Sequence, residues 1–181
     1  MVDPYSYKIK ICMVGQAAVG KTSLIKKLVY DQYDDKYVTT IGTKVTKKDM
    51  VVCLPGTEEK KAVCLLLWDI MGQMDFREIL QQTYFFGANG LMAVCDLTRP
   101  ETLQELPGWI ENAQRHTKDI PMIFLGNKCD LTGEAKLNLD DIKEVASTYG
   151  DSEALLTSAK TGENIEAVFT KLSESVLKNM F

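Results

Sequence analysis

Residues 10–22 read Lys10-Ile11-Cys12-Met13-Val14-Gly15-Gln16-Ala17-Ala18-Val19-Gly20-Lys21-Thr22, an apolar run that breaks into Gly-x-x-x-x-Gly-Lys-Thr and continues into a helix-like segment. A strand, a glycine-rich turn and a helix start in that order form a cradle for phosphate. The glycines let the chain wrap with its N–H groups inward, and the helix N-terminus adds partial positive charge. Lys21 then reaches terminal phosphates and Thr22 offers a hydroxyl to Mg²⁺. Gly15, Ala17, Ala18, Val19, Gly20, Lys21, Thr22 and Ser23 are therefore the first site residues. This loop selects phosphate and says nothing about the base.

Working outward, apolar strand-like runs alternate with helix-period segments along the whole chain. That pattern predicts an α/β domain with a mostly parallel sheet covered on both faces. Strands are expected at 7–14, 44–54, 61–68, 90–95, 121–126 and 153–157, six in all. Pro55-Gly56 makes the second and third a hairpin, which places one antiparallel strand at the sheet edge. About five helices are expected, at 21–30, 75–84, 107–116, 139–149 and 163–178, with a short turn at 101–106 ahead of Pro107. The charged hairpin, with Lys44, Lys47, Lys48, Asp49, Glu58, Glu59, Lys60 and Lys61, suits a solvated edge that resists strand-to-strand aggregation.

The chain has 181 residues and 45% apolar content, enough for one well-buried core, so residues 1–181 are expected to form a single domain. A net charge of −4 gives no reason to expect nucleic acid as a partner. The cysteines, Cys12, Cys53, Cys64, Cys95 and Cys129, are dispersed in apolar runs and fit buried thiols in a reducing compartment. One histidine, His116, leaves no basis for a zinc cluster that needs several. The N-terminal segment shows no apolar leader, and Cys129 lies far from Phe181. A cytoplasmic setting with no membrane anchor in this chain is the expectation, membrane association then requiring a partner or a further tail.

Asn127-Lys128-Cys129-Asp130 follows the apolar run ending at Gly126, which sets it at a strand's carboxyl end, where open α/β sheets bind ligands. A carboxylate there accepts from both the ring N–H and the exocyclic amine of guanine. Adenine offers no such donor pair. Alone, this string is more often a turn; after the phosphate loop it points to the base. Trp68-Asp69-Ile70-Met71-Gly72-Gln73 ends another apolar run. Asp69 can hold Mg²⁺ through water, Gly72 can bring an N–H to a γ-phosphate, and Gln73 can orient an attacking water.

Taken in order, these motifs with Thr40-Ile41-Gly42 and Ser158-Ala159-Lys160 resemble the Ras superfamily of small GTPases, whose domain is a three-layer P-loop NTPase G domain. Thr39-Thr40-Ile41-Gly42, Tyr84-Phe85-Phe86-Gly87-Ala88 and Ser158-Ala159-Lys160-Thr161-Gly162-Glu163-Asn164 are most similar to Rab-like proteins, Rab-like division regulators among them. The resemblance implies a GTP/GDP switch with Mg²⁺, monomeric, whose segments 32–43 and 69–84 control partner binding. Gln73, Lys21, Thr40 and Gly72 would form the catalytic group, and Thr22, Thr40 and Asp69 the metal set. Tyr33 would lie near the guanine, Tyr37 over the phosphates, Lys128 along the base, and Ala159, beside Ser158 and Lys160, would give its N–H to the guanine oxygen. Outside that likeness Tyr33 and Tyr37 are ordinary loop aromatics. A GTPase-activating protein, an exchange factor and effectors are the implied partners.

The pattern departs from the family where Ile70 and Met71 replace small residues and Met74 an acidic one. With Phe76, Leu80 and Tyr84 these make either an apolar docking surface or packing beneath a helix. Arginines are few, Arg77, Arg99 and Arg115, and none precedes Thr40, so slow hydrolysis dependent on an activating protein is expected. Two rivals remain: an ATP-using enzyme or nucleotide kinase, and a nucleotide-binding scaffold with little or no hydrolysis.

Overall fold

The computed structural model describes residues 7–36, 38–72 and 78–180. Eight-residue β1, Tyr7–Val14, and seven-residue β4, Gly90–Asp96, sit side by side at the centre of a six-stranded sheet. β3, Lys60–Ile70, lies on the other side of β1, and β2, Thr43–Cys53, forms the edge beyond it. β5, Met122–Asn127, and β6, Glu153–Thr157, complete the opposite side, giving the order β2-β3-β1-β4-β5-β6. Only β2 runs antiparallel to its neighbour, paired with β3 through the turn at Gly56, whose φ is 79°.

Burial on both faces explains why the central strands read as continuous apolar runs. Successive side chains point to opposite faces, so each strand divides between two cores. Ile9, Ile11, Met13, Leu65, Leu67 and Leu125 pack with Leu24 and Ile25 of α1, Lys21–Tyr30, and with Val168, Phe169, Leu172 and Val176 of α6, Ile165–Met180. Cys12, Val14, Leu91, Ala93, Cys95 and Phe124 pack on the other face. Their partners are Phe85 of α2, Glu78–Phe85, Leu106, Trp109 and Ile110 of α4, Leu106–Gln114, and Ile142 and Ala146 of α5, Leu139–Ser147.

The five expected helices are present among the described residues, and the short turn expected ahead of α4 is a separate four-residue helix, α3, Glu101–Gln104. Pro107 sits in the first turn of α4, where its missing N–H costs nothing. α5 starts at a complete capping box: Asn138 accepts from Asp140 and Asp141, and Asp141 accepts from the Asn138 N–H. Helix α5 stops at Ser147 rather than Tyr149 because the Tyr149 N–H turns to the Ala146 carbonyl, three residues back, and the ring stacks on Phe124 at 5.6 Å. The residues 75–77 of the expected second helix lie outside the described ones. No described helix is long and apolar enough to cross a membrane.

The parallel register aligns the carboxyl ends of the strands. Met13 lies opposite Asp69, Asp96 opposite Asn127, and Asn127 opposite Thr157. One edge of the sheet thus collects carboxylates and amides while the strand middles stay apolar.

Phe124 is fully buried between that sheet and Tyr149. Phe124→Ala is expected to cost about 3–5 kcal/mol of unfolding free energy in urea titrations; a loss under about 1 kcal/mol contradicts the packing described.

Candidate functional site

The phosphate loop joins β1 to α1 and owes its shape to backbone geometry. Gly15 has φ 138°, and a Cβ there would lie 2.2 Å from the Val94 carbonyl oxygen, so no other residue fits. Ala18 adopts φ 63°, the left-handed region where a non-glycine residue is strained. Lys21, 5% exposed, folds back over the loop and donates to the carbonyls of Gly15 at 2.6 Å and Gln16 at 2.9 Å. Burial pushes its ammonium pKa down to about 8, with Asp69 opposing that shift and Arg99 adding to it.

At the loop's far end three oxygen groups converge. The Thr22 hydroxyl donates to Asp69 Oδ2 and lies 3.0 Å from the Thr40 hydroxyl, itself 3.4 Å from Asp69 Oδ2. Asp69 is 2% exposed, its Oδ1 has no hydrogen-bond partner among the described residues, and burial raises its pKa against the pull of Thr22 and Lys21. A buried carboxylate oxygen without a partner beside two hydroxyls is an incomplete donor set. It fits a hard cation such as Mg²⁺ that takes its remaining ligands from phosphate and water. Among the described residues no cluster of three or more His, Cys, Asp or Glu offers an all-protein alternative. Gly72 closes the cradle: a Cβ there would come within 2.4 Å of the Ala17 nitrogen.

These groups line a cavity of about 430 Å³. Of the residues read from sequence, Ala17, Ala18, Gly20, Lys21, Thr22, Ser23, Tyr33, Thr40, Asp69, Gly72 and Lys128 face it. Tyr37 and Gln73 lie outside the described residues. Val19 is packed in the core, and Gly15 lies behind the loop against Val94. Asn127, 1% exposed, donates from Nδ2 to the Val19 carbonyl at 2.8 Å and accepts from Thr157 at 3.2 Å, tying β5 to the phosphate loop from behind.

Beyond the cavity, Ser158 donates to Asp130 Oδ1 at 2.6 Å and accepts from the Thr161 N–H at 3.0 Å, which orders the loop carrying buried Ala159 and exposed Lys160. Burial raises the Tyr33 hydroxyl pKa, and the carboxylates of Asp35 and Asp130 add to it, so Tyr33 stands near the Asp130 end. Ile70 and Met71 are 4% and 7% exposed, which rules them out of the apolar docking surface considered from sequence. Met74 and Phe76 lie outside the described residues, as does the side chain of Leu80.

Sequence reasoning missed Asp96. Its carboxylate is fully buried at the end of β4 yet accepts four donors: the Thr98 N–H at 2.9 Å, the Thr98 hydroxyl at 2.8 Å, Lys128 at 2.5 Å and Arg99 Nε at 3.1 Å. Burial would raise its pKa, but Lys128 and Thr98 outweigh that and hold it low. Its position, an acid directly after an apolar strand run as Asp69 is, was the available signal.

Phosphate loop, threonine pair and strand-end acids together define a nucleotide-binding P-loop domain. A Ras family model matches residues 10–178, and the chain belongs to the Ras family of small GTPases. It is 32% identical over 181 residues to the Ras-related protein Rab-8B of Homo sapiens and of Pongo abelii, covering 99% of this chain and 84% of each relative. It is also 32% identical to the Ras-related protein Rab-8 of Diplobatis ommata, covering 82% of that protein.

Lys21 has a pH signature. Below about pH 8 it is charged in both folded and unfolded chains, and the burial penalty is fully felt. Between about 8 and 10.5 the unfolded chain binds more protons, so stability rises with pH. In nucleotide-free protein, the stability of wild type relative to Lys21→Met is expected to rise by about 2 kcal/mol from about pH 7.5 to about pH 9.5. A flat difference in urea unfolding refutes a buried, charged Lys21.

Proposed function

We propose that this GTPase hydrolyses GTP slowly, with Mg²⁺, and cycles segments 32–43 and 69–84 between two states that partners distinguish, as a Rab-like signalling or trafficking regulator. The observation that carries the reading is the meeting of Thr22, Thr40 and Asp69 at the mouth of the cavity that Lys21 enters. Those residues belong to the phosphate loop, the first proposed switch and the start of the second. A ligand that engages all three biases both segments at once, and its loss releases them.

In this reading Lys21 and the inward N–H groups of residues 17–22 hold the terminal phosphates. Thr40 and Gly72 give backbone N–H groups to the γ-phosphate, and Gln73 orients the attacking water. Thr22 and Thr40, with Asp69 through water, would hold Mg²⁺, which when bound would supply charge neutralisation for the phosphates. Asp130 accepts from guanine, flanked by Lys128 and Tyr33, with Asn127, Ser158, Ala159 and Lys160 shaping that end. The working setting is cytoplasmic and the chain acts as a monomer, with a GTPase-activating protein, an exchange factor and effectors as partners.

The expectation of slow turnover rests on the arginine positions: none of the three precedes Thr40, and Arg77 lies outside the described residues. Arg115 pairs with Glu111 at 3.0 Å on the surface, and Arg99 is engaged behind the phosphate loop. An arginine aimed at the transition state is worth roughly 10³ to 10⁵ in rate, and in this reading an activating protein supplies that charge. Single-turnover phosphate release from purified protein is expected at about 10⁻³ s⁻¹ or slower, accelerated by cell extract. Many turnovers per second without extract contradict this account, and no release in either condition favours a scaffold.

Base choice is tested separately. Asp130→Asn is expected to lower GDP affinity by two orders of magnitude or more and to shift preference toward xanthosine diphosphate, on the order of the discrimination polar sites reach. Unchanged guanine preference in a displacement assay removes Asp130 from base recognition.

A further inference from the structure

Arg99 follows β4, belongs to none of the sequence motifs, and touches the phosphate loop from outside. Its Nη2 donates to the Ala17 carbonyl at 2.9 Å and its Nη1 to Gln16 Oε1 at 3.2 Å. Its Nε donates to Asp96 Oδ2 at 3.1 Å. The Gln16 amide is in turn held by Glu105 Oε1, accepting from Nε2 at 3.1 Å. One planar guanidinium thus spans a fully buried carboxylate and two residues of the loop, a task its rigid fork suits and a lysine ammonium does not.

The contact with Ala17 has a directional consequence. A trans peptide sets its C=O and the following N–H on opposite sides. Holding the Ala17 carbonyl outward therefore aims the Ala18 N–H inward, toward the cavity that Ala17, Ala18 and Lys21 line. Ala18 is also the loop residue at φ 63°, a conformation that persists only where surrounding contacts over-determine it. Arg99 provides one such contact.

We propose that Arg99 is a positioning residue that fixes the Ala17–Ala18 peptide of the phosphate loop and thereby sets how long nucleotides bearing a β-phosphate are retained. The inference rests on the guanine-nucleotide reading above. It assigns Arg99 no contact with the ligand. The same guanidinium shares Asp96 with Lys128, so the brace is anchored on the acid that also holds the base-side lysine.

The test measures GDP dissociation and, by competition at millimolar concentration, GMP affinity for wild type, Arg99→Ala, Arg99→Lys, Gln16→Ala and the double variant Arg99→Ala with Gln16→Ala. Charge-assisted hydrogen bonds of this kind predict GDP release about 10- to 30-fold faster in Arg99→Ala. GMP affinity should stay within about twofold, because GMP presents no β-phosphate to the loop. Arg99→Lys should recover little of the loss. Gln16→Ala, which removes one loop contact and leaves Asp96 paired, should give a smaller increase of about threefold that does not multiply with Arg99→Ala.

Equal losses for GMP and GDP overturn the proposal, since Arg99 would then act on the base through Asp96 or on the fold at large. So do a wild-type GDP rate in Arg99→Ala, full rescue by lysine, or effects that multiply. Should Arg99→Ala fail to fold, Arg99→Lys decides: wild-type GDP release there overturns the proposal whatever Gln16→Ala shows. Wild type that binds neither nucleotide is a separate result, seen before any variant is compared, and removes the guanine-nucleotide reading itself.

Discussion

A protonated ammonium closed inside a loop of backbone is the constraint on which this molecule turns. Lys21 is 5% exposed; among the described residues its ammonium donates to two carbonyls, those of Gly15 and Gln16, and Asp69 only partly offsets the cost of burial. Burying a charge on such terms is unfavourable, and the lowered pKa records it. The fold tolerates the cost because the loop is braced on three sides. Asn127 holds the Val19 carbonyl, Arg99 the Ala17 carbonyl, and Gly72 packs against the Ala17 nitrogen so closely that a methyl group would not fit. A loop kept open around a cation in this way is ready for an anion, and a phosphate supplies the charge that the protein withholds.

Much of this arrangement was legible in the chain because its strongest signals are local. The strand before Gly15, the glycines, and the lysine at the helix start carry their meaning within a dozen residues, and the structure places Lys21–Tyr30 where periodicity put it. Strand ends were read less well, since pairing decides them. β3 runs to Ile70, beyond its expected end at Trp68, because β2 pairs with it through Thr43 opposite Ile70. The burial of Ile70 and Met71 was equally hidden, as hydrophobicity alone does not say whether a strand-end residue faces solvent or the helix layer. Long-range contacts were the main omission. Arg99 lies 82 residues from the carbonyl it holds, and nothing in the sequence near either residue announces the other.

Asp69 and Asp96 make the final point about how environment assigns roles. Both follow apolar runs at the carboxyl ends of β3 and β4, on either side of β1. Both are almost fully buried. Asp96 is surrounded by donors, two from Thr98 and one each from Lys128 and Arg99, and its pKa lies below the ordinary carboxylate range. It is electrostatically complete, and a further cation beside it would compete with bonds already made. Asp69 accepts from two hydroxyls on one oxygen, leaves the other without a partner among the described residues, and has a raised pKa. A carboxylate left in that condition gains from a cation what Asp96 already has. The completed acid thus becomes a structural anchor that organises Lys128 and Arg99. The incomplete one stays receptive, and it sits beside Thr40, a residue delivered by a loop rather than a strand. The proposed switch would draw on that asymmetry, one set of contacts complete within the protein and another left for a ligand to complete.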